Sequence, residues 1–195
     1  MEKRKKIGID LDVVLNNLHD VWLARYSIDY DDNVTIQDMD VWDIVSIVKP
    51  ECGEKIFVYL REPDFFFNLD IVEGAKQTIE FLAEHYDLYV VTAYLPETCF
   101  DKVRWIRKND LAIRDENIIF INNKSLVDLD YLIDDGPHNF KNLKCTGLIF
   151  DMPYNRDMTL KSNLHRVNGW FEIKEYFENK LKIREIASNF KYGYR

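Results

Sequence analysis

Two aspartates, Asp10 and Asp12, stand one residue apart at the end of the apolar stretch "KKIGIDLDVVL" (5–15). Side chains alternate between the two faces of a strand, so a D-x-D pair in an extended chain points both carboxylates the same way, where their charges repel. A turn or a helix cap is the ordinary explanation. The chemical explanation is a bound Mg²⁺ ion, because such hard cations prefer carboxylate oxygens.

Polar residues also follow later apolar runs. Thr92 ends the second run, Lys124 follows the third, and Asp134 and Asp135 end the fourth, just before a Gly-Pro step. Each has a bland explanation, since Thr favours strands, a loop lysine is usually solvated, and an acidic pair before Gly-Pro often begins a turn. Together they predict one site, because ligands bind where the carboxyl ends of parallel strands meet.

Several carboxylates, a hydroxyl and an ammonium group at one sheet edge indicate phosphoryl chemistry around Mg²⁺. Phosphate monoesters hydrolyse very slowly unaided, so an enzyme must neutralise the phosphoryl oxygens and deliver a nucleophile in line. A carboxylate can be that nucleophile and form an aspartyl-phosphate that water then cleaves. A second carboxylate two residues on can protonate the leaving oxygen and later deprotonate the water.

Five short apolar runs are the predicted strands that position these residues: "KKIGID" (5–10), "DLYVVTA" (87–93), "NIIFIN" (117–122), "DYLIDD" (130–135) and "CTGLIFD" (145–151). Their nearly continuous apolar character is typical of strands covered on both faces. Segments with helical spacing lie at 73–86, 96–110 and 171–190. This alternation predicts an α/β protein with a doubly wound parallel sheet of the Rossmann type.

The first two predicted strands are separated by far more chain than one crossover helix requires. This stretch carries its own helical pattern, "LNNLHDVWLARY" (15–26), and an aromatic cluster at 65–67. We therefore predict a small helical cap at 15–73, inserted after the first strand of a core domain formed by 1–14 and 74–195.

The formal net charge of −8 disfavours binding to nucleic-acid polymers, which require clustered Lys and Arg. A small anionic substrate fits if a metal ion or a few cations hold it. The longest apolar runs are far too short for a membrane span, which predicts a soluble protein without membrane association.

The basic start "MEKRKK" is followed by two aspartates rather than by an uninterrupted apolar region, which disfavours a secretory signal. Three widely spaced cysteines, Cys52, Cys99 and Cys145, show no C-x-x-C spacing. We expect reduced thiols in a cytoplasmic protein, with Cys145 in the core.

The order D-x-D, Thr, Lys and acidic pair resembles the four motifs of the haloacid dehalogenase superfamily. The finer pattern of "IDLDVVLNN", "PDFFFNLDIVEGA", "VVTAY" and "NNKSLVDLDYLIDDGPHNF" resembles its 5'(3')-deoxyribonucleotidase family, from Ile7 to about Asp151. The resemblance implies a haloacid dehalogenase-like fold and a Mg²⁺-dependent phosphatase whose partner is a small phosphorylated substrate, a (deoxy)nucleoside monophosphate. A homodimer is left open.

The resemblance also implies roles by position. Asp10 would be the nucleophile and Asp12 the general acid/base. Mg²⁺ would be held by the Asp10 carboxylate, by the backbone carbonyl of Asp12 and by one acid of the later pair. Asp135 is the first choice for that ligand, with Asp134 as a supporting or alternative one.

Thr92 and the backbone at Ala93 would bind the phosphate, and Lys124 would neutralise one of its oxygens and brace the nucleophile. The cap would close over the nucleoside, for which three candidates are expected, each with a buried core role as its alternative: Leu18, Trp42 and Phe66. His138 would either support the acidic pair or be an ordinary loop histidine.

Two positions depart from the family pattern. Val13 and Val14 replace the Gly-Val that usually follows the second aspartate, which affects the backbone geometry at that point. Ala93 and Tyr94 replace a Ser-Pro or similar pair, which removes one hydroxyl that would face the phosphate. Both changes bear on substrate choice rather than on the catalytic acids.

Other functions fit parts of the pattern. A receiver-like phospho-acceptor also uses an acidic pair, Thr and Lys, but places the acidic pair first and the lysine last, and has no cap. A dehalogenase would not need Asp12, and a silent nucleotide-binding protein would not keep every motif residue. A phosphomutase or a phosphatase for another metabolite, such as a sugar phosphate, is the main alternative.

Overall fold

A computed structural model describes residues 3–192 of the chain, with side chains through residue 186. Six strands are present in this part: β1 Lys6–Ile9, β2 Asp87–Thr92, β3 Ile118–Phe120, β4 Tyr131–Asp134, β5 Thr146–Phe150 and β6 Leu164–Val167. They form one sheet in the order β3-β2-β1-β4-β5-β6, with every neighbouring pair parallel. The predicted parallel α/β sheet is confirmed.

Four α-helices accompany the sheet: α1 Leu18–Tyr30, α2 Ala75–His85, α3 Cys99–Lys108 and α4 Trp170–Tyr192. The three segments predicted from helical spacing in the core are thus helical, with bounds shifted by a few residues. Before α2 the chain needs Gly74, whose φ of 77° lies in the left-handed region. A short 3-10 turn, Pro96–Thr98, precedes α3.

Strand β6 was not among the predicted strands. Its sequence is "LHRV", and only its two end residues, Leu164 and Val167, are buried. The strand lies at the edge of the sheet beside β5, so it lacks the continuous apolar character of the central strands.

The segment between β1 and β2 is helical in character but mostly not α-helical. After α1 it contains three 3-10 stretches, Ile36–Asp38, Ile44–Ser46 and Gly53–Arg61. Its buried residues share one apolar cluster with β1. A division into a cap at 15–73 and a core at 1–14 and 74–195 stays a prediction, and residues 1–2 and 193–195 lie outside the described part.

The three cysteines are free thiols. Cys52 is the fully buried one, whereas Cys145 is only partly buried beside a small apolar cluster under β5, so its predicted core position is corrected. Among residues 3–192, none of the helices combines the length and the apolar character needed to cross a bilayer.

Candidate active site

The two aspartates after β1 are held by two different lysines. Asp10 continues the strand pairing, since its N–H donates to the carbonyl of Ile133 at 2.9 Å. The Lys124 Nζ lies 2.8 Å from Asp10 Oδ1, and the Lys102 Nζ lies 2.5 Å from Asp12 Oδ2. The repulsion expected within the D-x-D pair is therefore offset in part by the protein itself.

Lys124 is buried between two carboxylates, because its Nζ also lies 2.6 Å from Asp134 Oδ2. Burial by itself lowers the pKa of Lys124, but the charges of Asp10 and Asp134 raise it above its ordinary value. The lysine is therefore a fixed positive charge at the carboxyl ends of β1 and β4. The structure thus brings Lys124 to the position at Asp10 that the sequence predicted.

The neighbours Asp134 and Asp135 differ in what their oxygens contact. Asp134 Oδ1 accepts hydrogen bonds from the Gly136 N–H at 2.8 Å and from the Asn139 amide at 3.0 Å, and its Oδ2 faces Lys124. Asp135 Oδ2 accepts a short hydrogen bond from the hydroxyl of Tyr154. Among the described residues nothing donates to Asp135 Oδ1, so this oxygen alone in the pair is free for a ligand.

Asp10, Asp134 and Asp135 each offer a carboxylate oxygen, and these three oxygens lie within 4.8 Å of one another. Burial raises the pKa of Asp10 to about 7, against the opposing charge of Lys124. Burial also raises the pKa of Asp135 well above its usual range, and the charge of Asp134 adds to the rise. When all three carboxylates are ionised, the single charge of Lys124 does not balance their three negative charges. An oxygen-only donor set with one free oxygen therefore fits Mg²⁺.

Lys102 is a candidate site residue that the sequence analysis missed. Besides contacting Asp12, its Nζ lies 3.3 Å from Thr92 Oγ1 and 4.8 Å from the centre of the Phe66 ring. It is 2 % exposed and shares the buried face of α3 with Trp105 and Ile106. A lysine at helical spacing with apolar residues was the signal that could have found it.

The turn after β1 shows why glycine suits the position that Val13 occupies in this chain. Val13 has φ 69°, a left-handed conformation that glycine adopts freely and a β-branched residue adopts at a cost. Asn16 stabilises this turn, because its Oδ1 accepts from the Val13 N–H at 3.1 Å and its amide donates to Asp12 Oδ1 at 3.3 Å. Asp12 is thus held at both oxygens, by Asn16 and by Lys102.

A cavity of about 180 Å³ opens above these groups. We call Asp10, Asp134, Asp135 and Lys124, which line its base, the charged floor. Of the other predicted residues, Asp12, Ala93, Leu18 and Trp42 also line the cavity.

Two predicted contacts do not line the cavity. Phe66 is 3 % exposed and packs against Lys102, so its core alternative is correct. Thr92 is fully buried, and its hydroxyl lies near Lys102. It therefore lies beneath the cavity lining, whereas Ala93 is part of the lining.

Three aromatic residues, His19, Trp22 and Trp42, line the cavity. Together with Tyr154, whose ring packs against His19 and Trp42, we call them the aromatic wall. Trp42 meets Tyr154 edge to face with 5.2 Å between ring centres, and His19 does the same at 5.7 Å. His19 also stacks on Trp22 at 6.3 Å, and burial lowers its pKa to about 4, so its ring is neutral at ordinary pH. His138 packs on Trp42 at 4.8 Å and makes no hydrogen bond to the acidic pair among the described residues.

Comparison with known proteins identifies the family of the chain. A family profile described as "5' nucleotidase, deoxy (Pyrimidine), cytosolic type C protein" matches residues 4–184. A 5'(3')-deoxyribonucleotidase of Clostridium acetobutylicum is 40% identical over 173 residues, which cover 89% of this chain and 94% of that protein. The chain belongs to this nucleotidase family. A 5'(3')-deoxyribonucleotidase of Bacillus subtilis is 32% identical and covers 88% of this chain and 97% of its own length.

Solved structures confirm the haloacid dehalogenase-like fold of this family member. A haloacid dehalogenase-like hydrolase from Streptococcus pneumoniae superposes with a TM-score of 0.60 at 11% identity, over 91% of this chain and 100% of its own. A magnesium-bound hydrolase of the same type from Bacillus subtilis gives 0.54 at 13% identity, over 91% and 100%. The expected enzyme class, a phosphoric monoester hydrolase, is supported by the nucleotidase family, and the receiver-like alternative is excluded.

Proposed function

We propose that this nucleotidase hydrolyses (deoxy)nucleoside monophosphates with Mg²⁺ and an aspartyl-phosphate intermediate on Asp10. The observation that carries the proposal is the separate anchoring of the two aspartates. Asp10 lies in the charged floor beside Lys124, whereas Asp12 is turned to Lys102 and Asn16. Two carboxylates in different surroundings suit two different roles, nucleophile and proton carrier.

In the first step a carboxylate oxygen of Asp10 attacks phosphorus. A bond forms between that oxygen and phosphorus, the ester bond breaks, and Asp12 gives its proton to the leaving nucleoside oxygen. In the second step Asp12 takes a proton from water, whose oxygen attacks phosphorus and releases phosphate from Asp10. The proton that Asp12 gives up in the first step is thus replaced in the second, and Asp12 ends protonated, ready for the next substrate.

Lys124 and the backbone at Ala93 face the phosphate. Lys124 forms ion pairs with the carboxylates of Asp10 and Asp134. When Asp10 becomes bonded to phosphorus it loses its negative charge, so the ammonium of Lys124 can then stabilise the negative phosphoryl oxygens. Thr92 would act indirectly, because its hydroxyl accepts a hydrogen bond from Lys102 and so helps to position that lysine. Of the three residues predicted to contact the phosphate, only Lys124 and Ala93 would do so directly.

Mg²⁺ would be held by the carboxylates of Asp10 and Asp135 and by the backbone carbonyl of Asp12, and when bound it would neutralise the phosphoryl oxygens. Asp135 is preferred over Asp134 because Asp135 Oδ1 is free, whereas both oxygens of Asp134 are engaged. Asp134 would then hold Lys124 in place and support the ligand beside it.

The aromatic wall would bind the nucleoside. Trp42 is half exposed, and both Trp42 and Leu18 line the cavity. Aromatic side chains next to an anion site suit a nucleobase, since bases stack on such side chains. The names of the two relatives support a deoxynucleotide substrate, and the free thiols suit the proposed cytoplasm. A homodimer stays a prediction.

The test is a substrate panel: dUMP, dTMP, UMP, p-nitrophenyl phosphate and a hexose phosphate, each with Mg²⁺ and with EDTA. We expect the highest kcat/KM for the deoxynucleotides and no turnover in EDTA. Turnover in EDTA, or full activity of Asp10→Asn, would contradict the mechanism. Activity on the hexose phosphate alone would keep the mechanism and replace the substrate by the sugar-phosphate alternative.

A further inference from the structure

The 3-10 turn Pro153–Asn155, just after β5, places two side chains against Asp135. The hydroxyl of Tyr154 donates to Asp135 Oδ2, and the amide of Asn155 donates to the backbone carbonyl of Asp135 at 2.9 Å. Tyr154 is 8 % exposed and Asn155 is 1 % exposed. One short turn therefore fixes both the side chain and the backbone of this aspartate.

The turn is itself anchored to the sheet. The Asn155 amide also donates to the carbonyl of Phe150 at the end of β5, at 2.7 Å. On β6, Arg166 donates to Asn155 Oδ1 at 2.5 Å and forms an ion pair with Asp151 at 2.8 Å. Strand β6, which the sequence did not predict, thus supports the turn that holds Asp135.

We propose that Tyr154 is a positioning residue that holds the Asp135 carboxylate with Oδ1 facing the metal position. The proposal rests on the proposed function, since it takes Asp135 as a ligand of Mg²⁺. Because the phenol occupies Oδ2, the carboxylate has one oxygen to offer, and rotation that would turn Oδ1 away breaks a buried hydrogen bond. Donors of this kind fix ligand orientation and contribute to metal affinity.

Tyr154 also connects the charged floor with the aromatic wall. Its ring contacts Trp42 and His19 edge to face, and the same side chain donates to Asp135. The variant Tyr154→Phe keeps the ring and removes only the hydroxyl, so it separates the hydrogen bond from the packing. Tyr86→Phe is a matched control, because the buried Tyr86 hydroxyl has no hydrogen-bond partner among the described residues.

The experiment measures Mn²⁺ binding to the full chain without substrate, by electron paramagnetic resonance, for the wild type and both variants. We expect one tight site in the wild type, affinity about ten-fold weaker in Tyr154→Phe, and affinity within about two-fold of wild type in Tyr86→Phe. The Mg²⁺ concentration for half-maximal dUMP hydrolysis should rise by the same factor in Tyr154→Phe. Its kcat should return close to the wild-type value at saturating Mg²⁺.

Unchanged Mn²⁺ affinity in Tyr154→Phe would overturn the role of Tyr154 and leave the proposed function intact. A kcat that stays low at saturating Mg²⁺ with unchanged Mn²⁺ affinity would also overturn it. A wild-type protein that binds no Mn²⁺ would overturn the metal site at Asp135, and the positioning role with it. Thermal melting of each variant verifies that it is folded.

Discussion

The charged floor and the aromatic wall are neighbours in one cavity but differ in how the chain builds them. The floor consists of residues at or just after the ends of β1 and β4, together with Lys124, and every one of these side chains is buried and engaged by another charge or by a hydrogen bond. The wall comes from α1 and from connecting turns, and Trp42 in it is 50 % exposed.

This difference separates two tasks. Buried charges fixed by sheet residues cannot relax when the substrate arrives, which is the condition for electrostatic stabilisation of a transition state. A half-exposed aromatic ring adds contact with the substrate that is equal in the ground state and the transition state, so it contributes to KM. Changes in the floor should therefore lower kcat, and changes in the wall should raise KM.

The largest effect is expected for Lys124→Met. The variant leaves Asp10 and Asp134 without their shared cation and removes a charge that faces the phosphate, so kcat should fall about 1,000-fold. Lys141→Met, at an exposed position, is the control and should keep wild-type kcat. A fall in Lys124→Met confined to KM would contradict the assignment of the floor to the chemical step.

Lys102→Met should lower kcat by about 100-fold, the lower range for general acid–base catalysis. Its loss leaves Asp12 with Asn16 as its only partner among the described residues. Lys108→Met, at an exposed position of the same helix, is the matched control. Steady-state kinetics on dUMP measure both variants, and an unchanged kcat in Lys102→Met would show that Asp12 needs no anchoring.

Trp42→Ala should raise KM for dUMP about ten-fold with little change in kcat, because the lost contact is the same in ground and transition states. Glycerol phosphate, which has no ring to stack, should be hydrolysed with unchanged kcat/KM. Val41→Ala alters the exposed neighbour and serves as the control. A fall in kcat for both substrates would contradict the separation of floor and wall.

The charge in the floor should make the metal-free protein sensitive to pH. The pKa of Asp10 is raised to about 7, above its unfolded value, so the folded state favours the protonated form and loses stability as pH rises toward 7. In EDTA, Asp10→Asn should exceed the wild type in Tm by about 5 °C at pH 8 and by much less at pH 5. Calorimetry at the two pH values measures this, and an equal difference at both would refute it.

The smallest effect is expected at the corner that leads from the floor to α1. In Val13→Gly the relief of the left-handed backbone offsets the lost apolar burial, so the free energy of unfolding should change by about 1 kcal/mol or less. Val14→Gly removes a fully buried side chain from a residue whose φ is not positive, and should cost about 3 kcal/mol. Equal losses in urea unfolding would show that Val13 is not strained.

The sequence predicted the floor well because strand ends follow from apolar runs, and the polar residue after each run is visible in one chain. It missed Lys102 because a lysine within a charged helix resembles a solvated one until the helix is packed. It missed Tyr154 because "DMPYN" has the composition of a turn, and the contact with Asp135 depends on the pairing of β4 with β5.

The wall was predicted only in part for a related reason. Trp42 lies in a segment of 3-10 turns, where no regular periodicity fixes which face is buried. The same holds for Phe66, whose ring packs against Lys102 and does not line the cavity. Val13 was noted as a departure from the family pattern, but the positive φ that favours glycine at this position is a property of the folded turn.

The central claim is that Asp10 carries the phosphoryl group. The most direct measurement mixes the enzyme and Mg²⁺ with dUMP labelled in the phosphate, quenches with acid within the first turnover, and maps the label by proteolysis and mass spectrometry. The account predicts label on Asp10 within the peptide that follows Lys6, and none in Asp10→Asn. Release of labelled phosphate with no labelled peptide at any quench time, or label on Asp12, would contradict it.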